Sequence, residues 1–191
     1  MPSTYRIPRA TITGAYGRLL EAYARRTWGQ VPDNAYVMWH HRQALNAVFA
    51  FERKVAKWDA LDPNLQSYAQ MASAAVIGCT WCMDFGYFLA HNDGLDEAKV
   101  REVPRWRESD LFTPVERDVL EYAEAMSVTP PTVDDALSAR LQEALGVKAV
   151  VELTQLVALE NMRSRFNSAA GLEAQGFSQV CELPLAVRSQ S

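Results

Sequence analysis

A chain of 191 residues that is 49% hydrophobic and 22% charged holds enough apolar material for one domain with a full core and no need of disulfide staples. Nineteen Lys and Arg against 23 Asp and Glu leave a net charge of −4, with no basic block beyond Arg25-Arg26 and the scattered Arg101, Arg105 and Arg107, which argues against a nucleic-acid partner. No stretch reaches the ~18 uninterrupted apolar residues of a bilayer span, so no membrane partner is expected, and three cysteines without an apolar signal core at the start point to the reducing cytoplasm.

The pattern is helical throughout. Residues 13–28 set Ala15, Leu19, Leu20 and Tyr23 among Arg and Glu at helical spacing, and residues 34–57 do the same with Val37, Met38, Ala44, Leu45, Val48 and Phe49; Pro32 and Asp33 separate the two. Asp62-Pro63 opens a third helix, with Asp as cap and Pro in the first turn, which runs to about Ile77 before Gly78 interrupts it. The next helix carries Cys82, Phe85, Leu89 and Ala90 to a left-handed cap within His91-Asn92-Asp93-Gly94. A short helix over 95–103 and a polar, Trp-bearing connection over 104–110 follow. Thr113-Pro114-Val115-Glu116 has the spacing of a capping box for a helix ending near Met126. A proline-stiffened link over 128–132 leads to a helix over 133–145, and Gly146 separates that from a long apolar helix through Val150, Leu153, Leu156, Val157, Leu159 and Phe166. No strand alternation competes, and the residues after Gly176 read as a loosely held tail.

The chemistry concentrates in Cys79-Thr80-Trp81-Cys82. Gly78 lets a new helix start at the cysteines, and the free amides and positive dipole end of a helix N-terminus stabilise a thiolate, so a lowered thiol pKa is expected. Two intervening residues keep the sulfurs within about one turn, so one thiol can capture a sulfenic acid or mixed disulfide formed on the other. Two other readings stand beside the redox one. Buried packing thiols are common. A zinc site needs two further ligands, whereas Cys181 is lone, His40 and His41 are adjacent and far upstream, and His91 lies nine residues past Cys82, so no metal is expected. A thioredoxin reading would need a βαβ pattern that the chain lacks.

The segment 65–91, an apolar helix ending in Gly-Cys-x-x-Cys and followed by another helix, resembles the core of the alkylhydroperoxidase-D-like branch of the carboxymuconolactone decarboxylase superfamily. The stretch 156–172, LVALENMRSRFNSAAGL, is similar to that family's closing helix, and the resemblance spans most of residues 35–175. It implies an all-α fold that oligomerises, as a trimer or hexamer, with the site near the cysteine helix. It further implies that Cys82 attacks a hydroperoxide, Cys79 resolves the product, and a Glu and a His relay protons. The relay Glu stands twelve residues before the first cysteine, here Ser67, and the relay His four after the second, here Gly86; neither replacement carries a proton at neutral pH.

The residues therefore point to an N-terminal helical extension over 1–34, a helical domain over 35–175 and a tail over 176–191. The expected function is thiol-dependent hydroperoxide reduction by Cys82 and Cys79, with no cofactor beyond an external thiol reductant. Asp84 is the third candidate catalytic residue, a carboxylate near the pair that would transfer a proton, although two residues beyond Cys82 it points off that helical face. Trp81, Phe85, Gln70 and Tyr87 are the candidate pocket residues, with aromatic core packing as the plainer reading. His40-His41 reads as one imidazole inward and one outward, Asn161 and Arg165 as a hydrogen-bonded pair on one helix face, and Cys181 as a spectator thiol. A redox sensor or disulfide-exchange protein, and a lyase or isomerase using Asp84 or Tyr87 as acid or base, are the alternatives.

Overall fold

A computed structural model of the protein describes residues 3–181 and 183–187. Among these residues there is no β-strand, and nine α-helices carry the fold: α1 Gly14–Trp28, α2 Asp33–Met38, α3 Arg42–Val55, α4 Pro63–Ile77, α5 Thr80–Asn92, α6 Glu97–Val100, α7 Pro114–Ser127, α8 Asp135–Leu145 and α9 Val147–Ala170. No helix among them is long and apolar enough to cross a membrane.

Local chemistry sets most boundaries. The Asp62 carboxylate accepts from the Asn64 amide at 2.8 Å, and Pro63 occupies the first turn of α4. Thr113 and Glu116 exchange both bonds of a capping box at α7, and Asp134 caps α8 from outside, so that helix starts two residues later than expected. Gly171 takes a left-handed φ of +74° to end α9.

The helix expected over 34–57 is broken. His41, at φ −129° and ψ 80°, leaves the helical region, and its Nδ1 accepts the Ala44 amide at 3.2 Å, so α3 starts afresh after a 3-10 turn at Trp39–His41. Both imidazoles are exposed, against the expected inward and outward pair, and His40 Nε2 lies 2.8 Å from the Pro8 carbonyl. The helix expected over 95–103 shortens to α6, and the connection after it contains a 3-10 turn, Val103–Glu108, that buries Val103, Pro104 and Trp106.

The core is built around α4, which packs against α5, α7 and α9. Its Ala69, Ala72 and Ala74 are small enough to let those helices approach, and Tyr68 and Met71 fill the space between. Leu120, Leu141 and Leu153 are wholly buried, and truncating any of them to Ala removes about 2–5 kcal/mol by the usual cavity cost. A second small cluster, Ala24, Val31 and Ala35 with Ile12 and Leu20 against it, seats α1 and α2, and Trp28 touches both cores. Only Leu45 and Val55 of α3 are buried, and Tyr16, Leu19 and Tyr23 of α1 and Phe51 of α3 are exposed.

The segment after α9 is firmly held. Phe177 is buried, a 3-10 turn spans Phe177–Val180, and the Ala186 amide donates to the Arg101 carbonyl at 3.0 Å. The expectation of a loose tail fails because an α5 carboxylate supplies acceptors for this backbone; residues 182 and 188–191 of the expected tail lie outside the described residues.

Candidate active site at the start of α5

Gly78 adopts φ +81° at the end of α4, a conformation that costs a side-chain-bearing residue energy, and the amides of Gly78 and Cys79 both return to the Ala74 carbonyl, at 2.9 and 3.0 Å. The chain therefore turns within two residues, and Cys79 becomes the N-cap of α5. Cys79 and Cys82 form a disulfide across a Cα–Cα separation of 5.3 Å. Each sulfur also faces a donor. Cys79 Sγ accepts the Cys82 amide at 3.2 Å, and Cys82 Sγ accepts Asn167 Nδ2 of α9 at 3.3 Å. Either thiolate released by reduction would thus meet a hydrogen-bond donor at a helix N-terminus. Cys82 is 8% exposed and Cys79 2%, so Cys82 is the less buried residue of the pair.

Asn167 is 1% exposed, and its Oδ1 is buried without a partner. An unsatisfied amide oxygen is costly. Beside the pair it offers an acceptor for the S–H of reduced Cys82 or for a water, while the same amide donates to the anionic form.

Residues 173–178 cross the first turns of α5 as a strap. Thr80 Oγ1 donates to Glu173 at 2.6 Å, and the indole N–H of Trp81 donates to Gln175 Oε1 at 3.2 Å. That same oxygen accepts the Asp33 amide at 2.9 Å, and Gln175 Nε2 donates to the Val31 carbonyl at 2.8 Å, so one side chain joins the strap, α5 and the start of α2.

Asp84 is the anchor of this strap. Its Oδ2 accepts the amides of Gln175, Gly176 and Phe177, and its Oδ1 accepts the Ser178 amide and hydroxyl, at 2.7–3.0 Å. A buried carboxylate with five donors is an oxyanion clamp for backbone, and its lone pairs are committed to that work, which is at odds with the expected proton-transfer role.

The candidate pocket residues fall into three networks. Trp81 and Phe85, ring centroids 5.0 Å apart, pack with Phe177, Phe88 and Trp28 as an aromatic cluster beneath the strap. Gln70 Oε1 accepts Arg163 Nη1 at 2.6 Å, in a cluster where Arg163 also pairs with Glu52 and Glu160. Tyr87 is wholly buried and its hydroxyl donates to Glu97 at 3.0 Å, with burial raising its phenol pKa ahead of the Glu97 hydrogen bond and charge. A groove of about 340 Å³ lies instead against the other side of the turn, lined by Gly78, Thr80, Met83 and Pro104 and by Ser178 and Leu185 of the C-terminal segment; Asp84 contributes to its wall, and the four expected pocket residues do not.

Glu160 is buried, and burial raises its carboxyl pKa although Arg163 and the hydroxyl of Ser164, 2.7 Å away, oppose the rise. Asn161 accepts from Arg165 at 3.2 Å and donates to the hydroxyls of Ser73 and Ser127, the hydrogen-bonded pair expected on that face, extended to α4 and α7. At Gly86, where the resemblance led to the expectation of a relay His, an added Cβ would lie 2.8 Å from Met71 Sδ, so α4 and α5 pack closely there. Asn167 was missed from sequence. The available signal was a polar side chain at i, i+4 and i+7 with Glu160 and Ser164 on the inward face of an otherwise apolar helix.

The sequence model of the Carboxymuconolactone decarboxylase family matches residues 42–125. The uncharacterized protein YnjA of Escherichia coli K12 is 39% identical over 172 residues, which cover 88% of this chain and 85% of that one. The uncharacterized protein YdfG of Bacillus subtilis 168 is 25% identical over 122 residues, covering 63% and 83%. Among solved structures, an uncharacterized peroxidase-related protein of Ralstonia eutropha JMP134, described as an alkylhydroperoxidase AhpD core, superposes with a TM-score of 0.80 at 17% identity, covering 96% of this chain and 98% of that one. The debrominase Bmp8, as a cysteine-to-alanine variant with 2,3,4-tribromopyrrole, superposes with a TM-score of 0.80 at 18% identity, covering 93% and 96%. The chain belongs to the carboxymuconolactone decarboxylase family and has the alkylhydroperoxidase-D-like all-helical fold.

Proposed function

We propose that the protein is a thiol-dependent oxidoreductase that reduces a hydroperoxide through a Cys79/Cys82 dithiol–disulfide cycle. The observation that carries this reading is the disulfide at the N-terminus of α5, with a separate donor on each sulfur. The Cys82 thiolate attacks the terminal peroxide oxygen, the O–O bond breaks, and the alkoxide leaves and takes a proton from water, which gives ROH and a Cys82 sulfenic acid. The Cys79 thiolate then attacks the Cys82 sulfur, and hydroxide leaves as water with the proton of the Cys79 thiol. Two electrons and two protons from an external dithiol restore the pair. The N-cap position favours Cys79 as the thiolate of the second step, and the Asn167 amide favours Cys82 as the thiolate of the first. Homo-oligomerisation, as a trimer or hexamer, is part of the proposal and is supported by the apolar side chains that α1 and α3 leave exposed.

A second reading has one observation behind it, the fold neighbour crystallised with 2,3,4-tribromopyrrole. The same dithiol can reduce a carbon–bromine bond, giving R–H, bromide, a proton and the disulfide.

The test incubates reduced protein with dithiothreitol and either cumene hydroperoxide or a bromopyrrole, with Cys79→Ser and Cys82→Ser beside the parent. Turnover of hydroperoxide, with one disulfide formed per peroxide in the absence of dithiothreitol, is the expected result. Turnover of the bromopyrrole alone selects the second reading, and substrate loss that survives both substitutions sinks both.

A further inference from the structure

A second cluster of reactive side chains lies at the far end of α5, where three elements converge. His91 is in its last turn, Glu97 is the first residue of α6, and Cys181 follows the 3-10 turn of the C-terminal segment. Among the described residues these three bring one ligand atom each, an imidazole nitrogen, a carboxylate oxygen and a thiol sulfur, within 4.8 Å of one another. All three are partly buried. We propose that His91, Glu97 and Cys181 form a binding site for a divalent zinc-type metal ion that ties the C-terminal segment to the α5–α6 corner.

The chemistry of the donor set names the class of ion. A thiolate with an imidazole and one carboxylate suits borderline-soft Zn²⁺ or Co²⁺, whereas Mg²⁺ and Ca²⁺ prefer shells of oxygen. Tetrahedral zinc, with bonds of about 2.0–2.3 Å, spaces its ligands by roughly 3.3–3.8 Å, so small rotations of these side chains suffice. Water completes the fourth position. The site carries its own supporting shell: the Leu183 amide donates to Glu97 Oε1 at 2.9 Å, and the Tyr87 hydroxyl lies 3.0 Å from the same oxygen and 2.8 Å from the Leu183 carbonyl, which leaves Oε2 facing His91 Nδ1 at 2.8 Å. The formal charges of a carboxylate and a thiolate balance a dication, and binding releases the single proton of the Cys181 thiol.

The consequence is mechanical. Leu185 and Ala186, four and five residues beyond Cys181, line the groove beside the Gly78 turn, so metal occupancy fixes one wall of that groove without touching the cysteine pair.

The experiment uses full-length protein with Cys79–Cys82 oxidised, which removes that pair as a competing ligand and leaves Cys181 as the free thiol. Titration with Co²⁺ is expected to give a sulfur-to-cobalt charge-transfer band that saturates at one equivalent and is displaced by Zn²⁺ but not by Mg²⁺. Cys181→Ser is expected to abolish the band, and His91→Gln to weaken binding at least tenfold. A measurement on the parent alone guards against a variant that fails to fold: Zn²⁺ should slow iodoacetamide alkylation of Cys181 by tenfold or more. Absence of the band, a band that persists in Cys181→Ser, or alkylation indifferent to Zn²⁺ overturns the proposal.

Discussion

Asn167 on α9 donates its side-chain amide to Cys82 Sγ on α5 at 3.3 Å, so the reactive pair is coupled to the helix that closes the core as well as to its own helix N-terminus. A hydrogen bond to a charged group contributes about 1.5–3 kcal/mol, and about 1.4 kcal/mol corresponds to one pKa unit. Asn167→Ala is therefore expected to raise the pKa of the Cys82 thiol by about one unit or more and to slow its reaction at neutral pH about tenfold. Titration of thiolate absorbance in Cys79→Ser, with and without the second substitution, measures it. An unchanged titration midpoint would leave Asn167 as packing alone.

Asp84 distinguishes a structural carboxylate from a catalytic one. Replacing it with Asn puts an amide N–H₂ against backbone N–H groups that now meet a carboxylate, and each hydrogen bond to the charged group that is lost is expected to cost about 1.5–3 kcal/mol. Hydrogen exchange of the amides of Gln175, Gly176, Phe177 and Ser178 should accelerate more than that of α9. A variant of parental stability and parental exchange that nonetheless loses activity would return Asp84 to the chemistry.

Gly86 should not accept the histidine that the family pattern places there. With Met71 Sδ 2.8 Å from where a Cβ would be, Gly86→His is expected to destabilise by about 1–3 kcal/mol through overpacking. Gly86→His should cost less in a Met71→Ala background than in the parent. Additive effects of the two substitutions in thermal melts would show that the two sites do not touch.

Glu160 makes stability depend on pH in a defined direction. Its folded-state pKa lies above the ordinary 4.5, first because of burial, so the folded state holds this proton more tightly than the unfolded one. Its contribution is full below pH 4.5 and is lost as pH rises through the raised value. Glu160→Gln removes that loss while its amide oxygen still accepts from Ser164. The melting temperature of the variant relative to the parent is therefore expected to climb as pH rises above 4.5, and a difference that does not change with pH would contradict the assignment.

What the sequence made readable was local. The Asp62-Pro63 start, the capping box at Thr113, the Gly78 interruption and the cysteine pair all depend on neighbours within four residues, and each stands where the pattern put it. The misread features are set by distant partners. Asp84 has no obvious role in its own helix, because its donors lie more than 90 residues away in the strap. The tail read as loose because the carboxylates and carbonyls that hold it, from Asp84, Glu97 and Arg101, belong to other elements. Helix 34–57 read as continuous because its apolar spacing says nothing of an imidazole that captures an amide three residues on. Nor could Cys181 and His91 be read as neighbours: 90 residues apart in sequence, they meet only through the path of the strap.

The central claim is that Cys82 is the sulfur oxidised first and Cys79 the one that resolves it. The most direct measurement treats reduced Cys79→Ser and Cys82→Ser with one equivalent of alkyl hydroperoxide in the presence of a sulfenate-trapping dione, followed by mass spectrometry of the tryptic peptides. The account predicts rapid, near-stoichiometric labelling of Cys82 in Cys79→Ser and none at Cys79 in Cys82→Ser. Labelling of Cys79 alone would reverse the assignment, and labelling of neither, at a rate no greater than that of an ordinary thiol, would contradict the peroxide chemistry itself.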